Sequence, residues 1–576
     1  MVTFYQQGYD RSILGITPSV TKRHASDPMS RSTDRAKPTT IPRTELLWLA
    51  GAIVVGVVLR LSFLNRIAIE HFDEGVYASN FWFGADQGYE YPARFLYAPP
   101  LLPATIEWTM VLTSLLGYQP SGWIPVIPCL LAGVAAIPSL WWITRRWFGP
   151  VAGTVSAWLI ATSDFHASYS RTALTDVPAC LLILWGIYFT WRALQMGAAR
   201  DVLLASLFTG LAWSTKYNGW FPLAVGLAGG TAAQLQKSAS LPGLLTLARR
   251  WLAVACVSGL VWSPVLIGLQ RHGGYRVVAA NHHQYAGRID GWGTTAVRQL
   301  PNVGTYDNLL SLAGIPPAQA PATQGWWLGV ISPVLLLLVG LVGIATWIWQ
   351  NRQRAERANA GWFVLAWICG LTVATPFYHP YPRLVLPWLT AVWVGVGVAA
   401  QLLAVRSAAA TEAADPRRDL KATWCRATIA IWLFATVAVR CWTGTYHAWQ
   451  DRTELSQATA SIASLLKSQT RDAGFSEDEA IVYVYGNPPI VFGLKSNGLS
   501  LVGPVQNLDF LRTPRVRPTF LIRTDRALSD AGFQEEWTAH ESEFSRVETT
   551  PIRVSHLVRL DDQRAVQADI PGAETS

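Results

Sequence analysis

Apolar residues in this chain gather in long runs instead of the alternations of a soluble fold. From Leu46 to about Trp442, stretches of roughly 18 to 25 residues recur, the length needed to cross a hydrocarbon core of about 30 Å as a helix. The runs are 46–64, 123–143, 148–165, 177–195, 202–216, 218–236, 251–269, 326–349, 361–377, 384–405 and 426–442. They predict a polytopic α-helical membrane protein of eleven spans over 45–445. After Trp442 the pattern changes. A polar helical stretch from about Asp451 to Lys467 is followed by "EAIVYVYGN", "IVFGLKS" and "PTFLIRT", which read as short strands between turn signals. A small C-terminal α/β domain over 446–576 is expected, with a loose end from Asp561.

The run "PPLLPATIEWTMVLTSLLGY", Pro99 to Tyr118, is ambiguous by length, and charge resolves it. If it crosses, Arg145 with Arg146, Arg192 with Arg200, Lys237 with Arg249 and Arg250, and Arg352 with Arg354 and Arg357 fall opposite the basic N-terminus. If it lies in the interface, all of these loops become cytoplasmic together, as the positive-inside rule prefers. The leading Pro pair and Glu107 suit an interfacial helix. Residues 1–44, basic and without an apolar core, read as a disordered cytoplasmic arm. The C-terminal domain then lies outside, and the outer loops are 66–121 and 270–324. A plasma (inner) membrane location follows from this reading.

Composition sharpens the picture. Only 14% of the 576 residues are charged and 51% are hydrophobic, and the 28 Trp fit a chain with many bilayer boundaries. All six cysteines lie in or beside apolar runs with no CxxC spacing, so neither a disulfide framework nor a metal cluster is expected. The net charge of +9 sits largely in the short loops. It reports topology, and nucleic acid is not expected as a partner.

With sides assigned, four outer loops carry the remaining chemistry. "HFDEGVYASN" opens the first with Asp73 and Glu74; "HASYSRTALTDVP" supplies His166, Arg171 and Asp176; "STKYNGW" puts Lys216 at the boundary; "TPFYHPYPRLVLPW" brings Tyr378, His379, Tyr381 and Arg383. Each has a bland account: a solvated acidic pair or a partner for Arg60 or Arg94, a helix cap at Asp176, a snorkelling Lys216, an interfacial anchor at Arg383. Carboxylates and cations converging on one membrane face are expensive unless paired or used. Together they suit a reaction in which a lipid-linked phosphate leaves. A carboxylate takes the proton of an attacking hydroxyl, and cations hold the departing phosphate. "NHHQY", with His282 and His283, lacks metal-ligand spacing. There is no P-loop, no GxGxxG after a strand and no GxSxG elbow, so a polyprenyl-phosphate sugar arriving through the bilayer is the expected donor.

In order, "HFDEGVYASN", the "PP" helix, "SRTALTDVP", "TKYNGW" and "YPRLVLPW" resemble the membrane glycosyltransferases of the C-type superfold, above all the branch of protein O-mannosyltransferases and lipid A aminoarabinose transferases. The resemblance spans about residues 45–405. It implies inverting transfer from a polyprenyl-phosphate carrier. On this likeness Asp73 is the catalytic carboxylate with Glu74 beside it, and Asp176 is a second acidic position shaping the acceptor site. Arg383 meets the donor phosphate with Lys216, Tyr378 and His379, while Arg171 and His166 fall on the acceptor side. Where the family often has Lys or His directly before the two prolines, this chain has Ala98, so Arg94 or Lys216 is expected to substitute. No cofactor is required by the motifs, and a divalent metal stays open, because an Asp-Glu pair serves equally as base or ligand. The acceptor, whether protein, lipid or glycan, is not specified. A transporter or flippase of a glycolipid would use the same charges, but these cluster at span ends on one face, without paired interrupted helices.

Overall fold

The computed structural model describes residues 41–79, 91, 93–119, 121–287, 289–306, 322–412, 446–512, 517–548 and 553–557. The basic arm up to residue 40 and the expected span 426–442 lie outside them. Among the described residues seven helices are long and apolar enough to cross a membrane: Arg43–Leu61, Ile124–Phe148, Asp176–Met196, Leu241–Gln270, Val330–Gln350, Ala355–Phe377 and Pro382–Arg406.

The helices that matter for the site are named in chain order. They are α1 (Arg43–Leu61), α2 (Phe72–Ala78), α3 (Leu101–Ser114), α4 (Ile127–Phe148), α5 (Pro150–Thr162), α6 (Asp164–Ser170), α7 (Asp176–Met196), α8 (Ala199–Thr215), α9 (Phe221–Lys237) and α10 (Leu241–Gln270). After them come α11 (Tyr275–His283), α12 (Trp292–Tyr306), α13 (Ala322–Gln350), α14 (Ala355–Ala374) and α15 (Leu386–Glu412). The ambiguous run forms α3, whose 14 residues extend about 21 Å, short of the hydrocarbon core. It buries Leu102, Ile106 and Met110 and exposes Trp108 and Leu112. Its buried side shares a core with Ile67, Val76, Tyr77, Val126 and Leu174, so α2 and α3 pack as one layer.

Helix ends explain several polar residues. Past α1 the backbone turns through Phe63 at φ 55, a left-handed conformation, and leaves carbonyls without intrahelical donors. Arg171 donates to the carbonyls of Arg60, Ser62 and Phe63 at 2.8, 2.6 and 3.0 Å. Arg60, itself fully buried, donates to the Ile160 and Ala161 carbonyls at the end of α5 and to His166 Nδ1 at 2.9 Å. At the far end of the helices Glu45 pairs with Arg145, and the Gln401 side chain accepts from the Val151 amide at 3.0 Å.

The C-terminal residues form α16 (Glu454–Asp472), β1 (Ile481–Tyr485), α17 (Pro488–Ser496), β2 (Val502–Val505), β3 (Thr519–Arg523), α18 (Asp525–Ser529), α19 (Ala531–His540), β4 (Phe544–Glu548) and β5 (Arg553–Leu557). The sheet order is β2-β1-β3-β5-β4, with β1 parallel to β2 and β3, and β5 antiparallel to β3 and β4. Ile462 and Leu466 of α16 and Ile490 and Leu494 of α17 pack on Val482, Val484, Phe520 and Ile522. Phe533 and Trp537 of α19 pack with Leu521 and Tyr485. "IVFGLKS" is a helix and not a strand. Two prolines at its first turn start α17, and burial of nearly all its side chains removed the polar face that marks a helix in sequence.

Candidate active site

Three helix ends and a proline turn bring Asp73, Asp176, Lys216 and Arg383 together. Asp73 is the second residue of α2, Asp176 the first of α7, Lys216 the residue ending α8, and Arg383 lies in the turn Pro382–Val385 that leads into α15. Arg383 Nη2 donates to Asp73 Oδ2 at 2.6 Å, and its Nε lies 3.8 Å from Asp176 Oδ2. Lys216 Nζ meets Asp176 Oδ1 at 2.5 Å. The order is Asp73–Arg383–Asp176–Lys216, two anions interleaved with two cations. Asp176 is 2% exposed, Asp73 14%, and the cations about a fifth, so the array is shielded at its centre and open at both ends. Breaking one partner of such a group leaves a buried charge unpaired. The turn that aims Lys216 needs Gly219, because a Cβ there would sit 2.0 Å from the Ala212 carbonyl oxygen.

Aromatic rings wall the array. The Tyr381 ring lies 5.3 Å from the Arg383 guanidinium, His379 stacks on Tyr381 at 4.4 Å, and Tyr285 and Tyr378 complete the cluster. The segment after α10 is tied to this strip by a bridge between Ala286 and Tyr378 and by the His379 amide bonding the Tyr285 carbonyl. Tyr77, buried beneath Asp73, is held well above the usual phenol range by burial first and by the Asp73 carboxylate second. His282 is held below its ordinary range by burial and then by the Lys216 charge, and its Nδ1 lies 2.8 Å from the Tyr378 hydroxyl. Sequence spacing offered no sign of His282's place, since it depends on how the loop folds back. Arg94 begins the turn Arg94–Leu96 on the Lys216 side, where the Tyr217 hydroxyl bonds the Phe95 carbonyl. Ala98 is buried.

Other residues expected at the site face elsewhere. Glu74 is fully buried and turns back under α2, accepting from the His71 and Ala173 amides at 2.8 Å each and from Arg452 at 2.7 Å. Adjacent helical residues point about 100° apart, and here Asp73 meets Arg383 while Glu74 meets Arg452. Arg171 and His166 are consumed at the end of α1, as described above, and neither touches the array. Among the described residues no group of three His, Cys, Asp or Glu is arranged to hold a metal ion.

Beside the Lys216 end, an apolar cleft of about 620 Å³ runs between α8, α9 and α10, lined by Trp213, Trp220, Leu223, Leu227, Trp251, Trp262 and Tyr275. Trp213 stacks on Trp262 at 4.1 Å, and ring contacts continue through Tyr275 to Tyr217, the neighbour of Lys216. The chemistry available is therefore a carboxylate facing a guanidinium, with a second cation whose neighbour Tyr217 touches Tyr275 of an apolar cleft.

Residues 99–266 match the family of dolichyl-phosphate-mannose-protein mannosyltransferases. The fold is similar to ArnT from Cupriavidus metallidurans bound to undecaprenyl phosphate, with a TM-score of 0.54 and 15% identity over 89% of this chain and 98% of that one. The oligosaccharyltransferase of Archaeoglobus fulgidus in its apo form matches with a TM-score of 0.51 and 13% identity, covering 84% of this chain and 70% of that one. The Bacillus subtilis protein YkcB, which carries the name of a mannosyltransferase, is 22% identical over 114 residues, 20% of this chain, and the matched part is 16% of that relative's length. The helix arrangement of this integral membrane protein is thus similar to that of these membrane transferases, and the match to the mannosyltransferase family lies within it, over residues 99–266.

Proposed function

We propose that the protein transfers a sugar from a polyprenyl-phosphate carrier to an acceptor hydroxyl on the extracytoplasmic face, with inversion at the anomeric carbon. The observation that carries this reading is the Asp73–Arg383–Asp176–Lys216 array, linked to the apolar cleft by the contact of Tyr217 with Tyr275. In the reaction the acceptor oxygen bonds to the anomeric carbon. The bond from that carbon to the phosphate oxygen breaks, the phosphate leaves with the electron pair, and Asp73 takes the acceptor's proton. A guanidinium has five N–H donors, and contacts to Asp73 and Asp176 leave Arg383 with others for the phosphate. Lys216 adds a second charge, and Asp176 keeps both cations oriented. The prenyl chain occupies the cleft between α8, α9 and α10, whose rings lead to Lys216.

We read residues 1–44 as a cytoplasmic arm, 45–445 as the membrane domain with eleven crossings, and 446–576 as an extracytoplasmic domain. Support comes from the ends of the described segments. Gln401 lies with the Arg145 loop at one end of the helices, whereas His447 and Ala448 bond Asp164 at the other, beside the array. One crossing between them accounts for the difference.

The test is donor binding. Purified protein is heated with a panel of polyprenyl-phosphate sugars, and a ligand that binds the native state raises the midpoint. A shift with one donor, lost in Arg383→Ala, is expected. No shift with any of them contradicts the reading and favours transport of a glycolipid.

A further inference from the structure

The helix that carries Asp73 is seven residues long, too short to hold itself in place, and most of what grips it comes from the far end of the chain. Glu74 receives Arg452 Nη2 at 2.7 Å, and the same guanidinium donates from Nη1 to the Arg171 carbonyl at 2.9 Å. Just before α2, the Glu70 carboxylate accepts the Leu455 and Ser456 amides at 3.1 Å each, capping the first turn of α16. On its other flank α2 lies against α17. A Cβ on Gly75 would stand 2.2 Å from the Pro489 nitrogen and 2.5 Å from the Pro488 carbonyl carbon, so only glycine permits this approach. Phe492 of α17 is buried in the core that holds Val76 and Tyr77.

We propose that the C-terminal domain is a positioning element for Asp73. Arg452 acting through Glu74, and Pro488–Pro489 acting through Gly75, hold α2 where Asp73 meets Arg383. This rests on the reading of Asp73 as the base. Arg452 touches no reacting atom. It is a positioning residue, and a displacement of about 1 Å at a reacting group can lower turnover on the order of 10²-fold.

The test uses the full-length chain in detergent and compares hydrogen exchange in wild type, Arg452→Ala, Arg452→Lys and Gly75→Ala. Arg452→Ala is expected to speed exchange of the α2 amides roughly tenfold while the segments carrying Asp176 and Arg383 keep their protection. Arg452→Lys recovers part of it, because one ammonium can reach Glu74 without also holding the Arg171 carbonyl. Gly75→Ala reproduces the loosening with Arg452 intact. With a donor the wild type turns over, both loosened variants lower kcat and leave the donor KM within about twofold, since the phosphate-facing cations are untouched. Unchanged α2 exchange, or exchange rising equally throughout the chain, overturns the proposal, as does loosened α2 with normal kcat. A wild type that turns over no donor while α2 loosens as expected counts against the transfer reading and leaves the clamp standing.

Discussion

Asp73 and Glu74 are neighbours in sequence and opposites in role. Asp73 faces a guanidinium with partial access to solvent, while Glu74 is enclosed by backbone amides and Arg452. Asp73→Asn keeps the shape and removes the proposed base, so transfer should fall about 10²- to 10⁴-fold with donor binding retained, measured as turnover beside a thermal shift. A third residue, His166, yields a pH prediction. Burial, and then the Arg60 charge, hold it well below its ordinary 6.5, so the fold keeps it neutral. Below pH 6.5 the unfolded chain takes up a proton that the folded chain refuses. Its contribution to stability is complete above that value and is lost as the pH falls. Wild type should therefore lose more thermal stability than His166→Gln between pH 7.5 and 5.5, in paired melts. Which charged residues gather at the shared helix ends is legible in the sequence, because an apolar chain leaves few of them. Their pairing is not. Whether a carboxylate meets Arg383 or a buried amide depends on residues hundreds of positions away, such as Arg452, and no local pattern carries that information.

At the scale of elements, the long apolar runs are legible because a bilayer demands length and composition together. The helix α2 is harder to see. Its start is a capping box, with His71 Nδ1 accepting the Asp73 amide and Glu74 returning to the His71 amide. That signature, a potential cap three residues before Glu, stands in "HFDE" and identifies Glu74 as structural more readily than as catalytic. Glu74→Gln should lower stability by about 3 kcal/mol, because it leaves Arg452 facing a neutral group in a largely buried place, and a denaturation series checks this. The same change should leave the Arg383-dependent donor shift in place. The short α3 belongs to this scale too. About 21 Å long, it packs on α2 through a core shared by Ile106, Met110, Val76 and Tyr77.

Across the whole molecule, the array exists only because four loops, ending helices far apart in the chain, meet on one face. On the proposed topology an even number of crossings separates successive contributors, with the shorter α5, α8 and α9 counted beside the seven long helices and α3 not. A cysteine at exposed Ser464 in α16, in a background without the native cysteines, should then react with a membrane-impermeant thiol reagent added outside intact cells, and should be silent if the C-terminal domain lies inside. The central claim is that the Asp73 array moves a sugar from a lipid phosphate, and radiolabelled polyprenyl-phosphate sugar supplied to membranes of cells expressing the protein addresses it most directly. Wild type is predicted to label an acceptor with loss of donor, and Asp73→Asn to bind the same donor and leave the acceptor unlabelled. Labelling by Asp73→Asn at the wild-type rate would contradict the account.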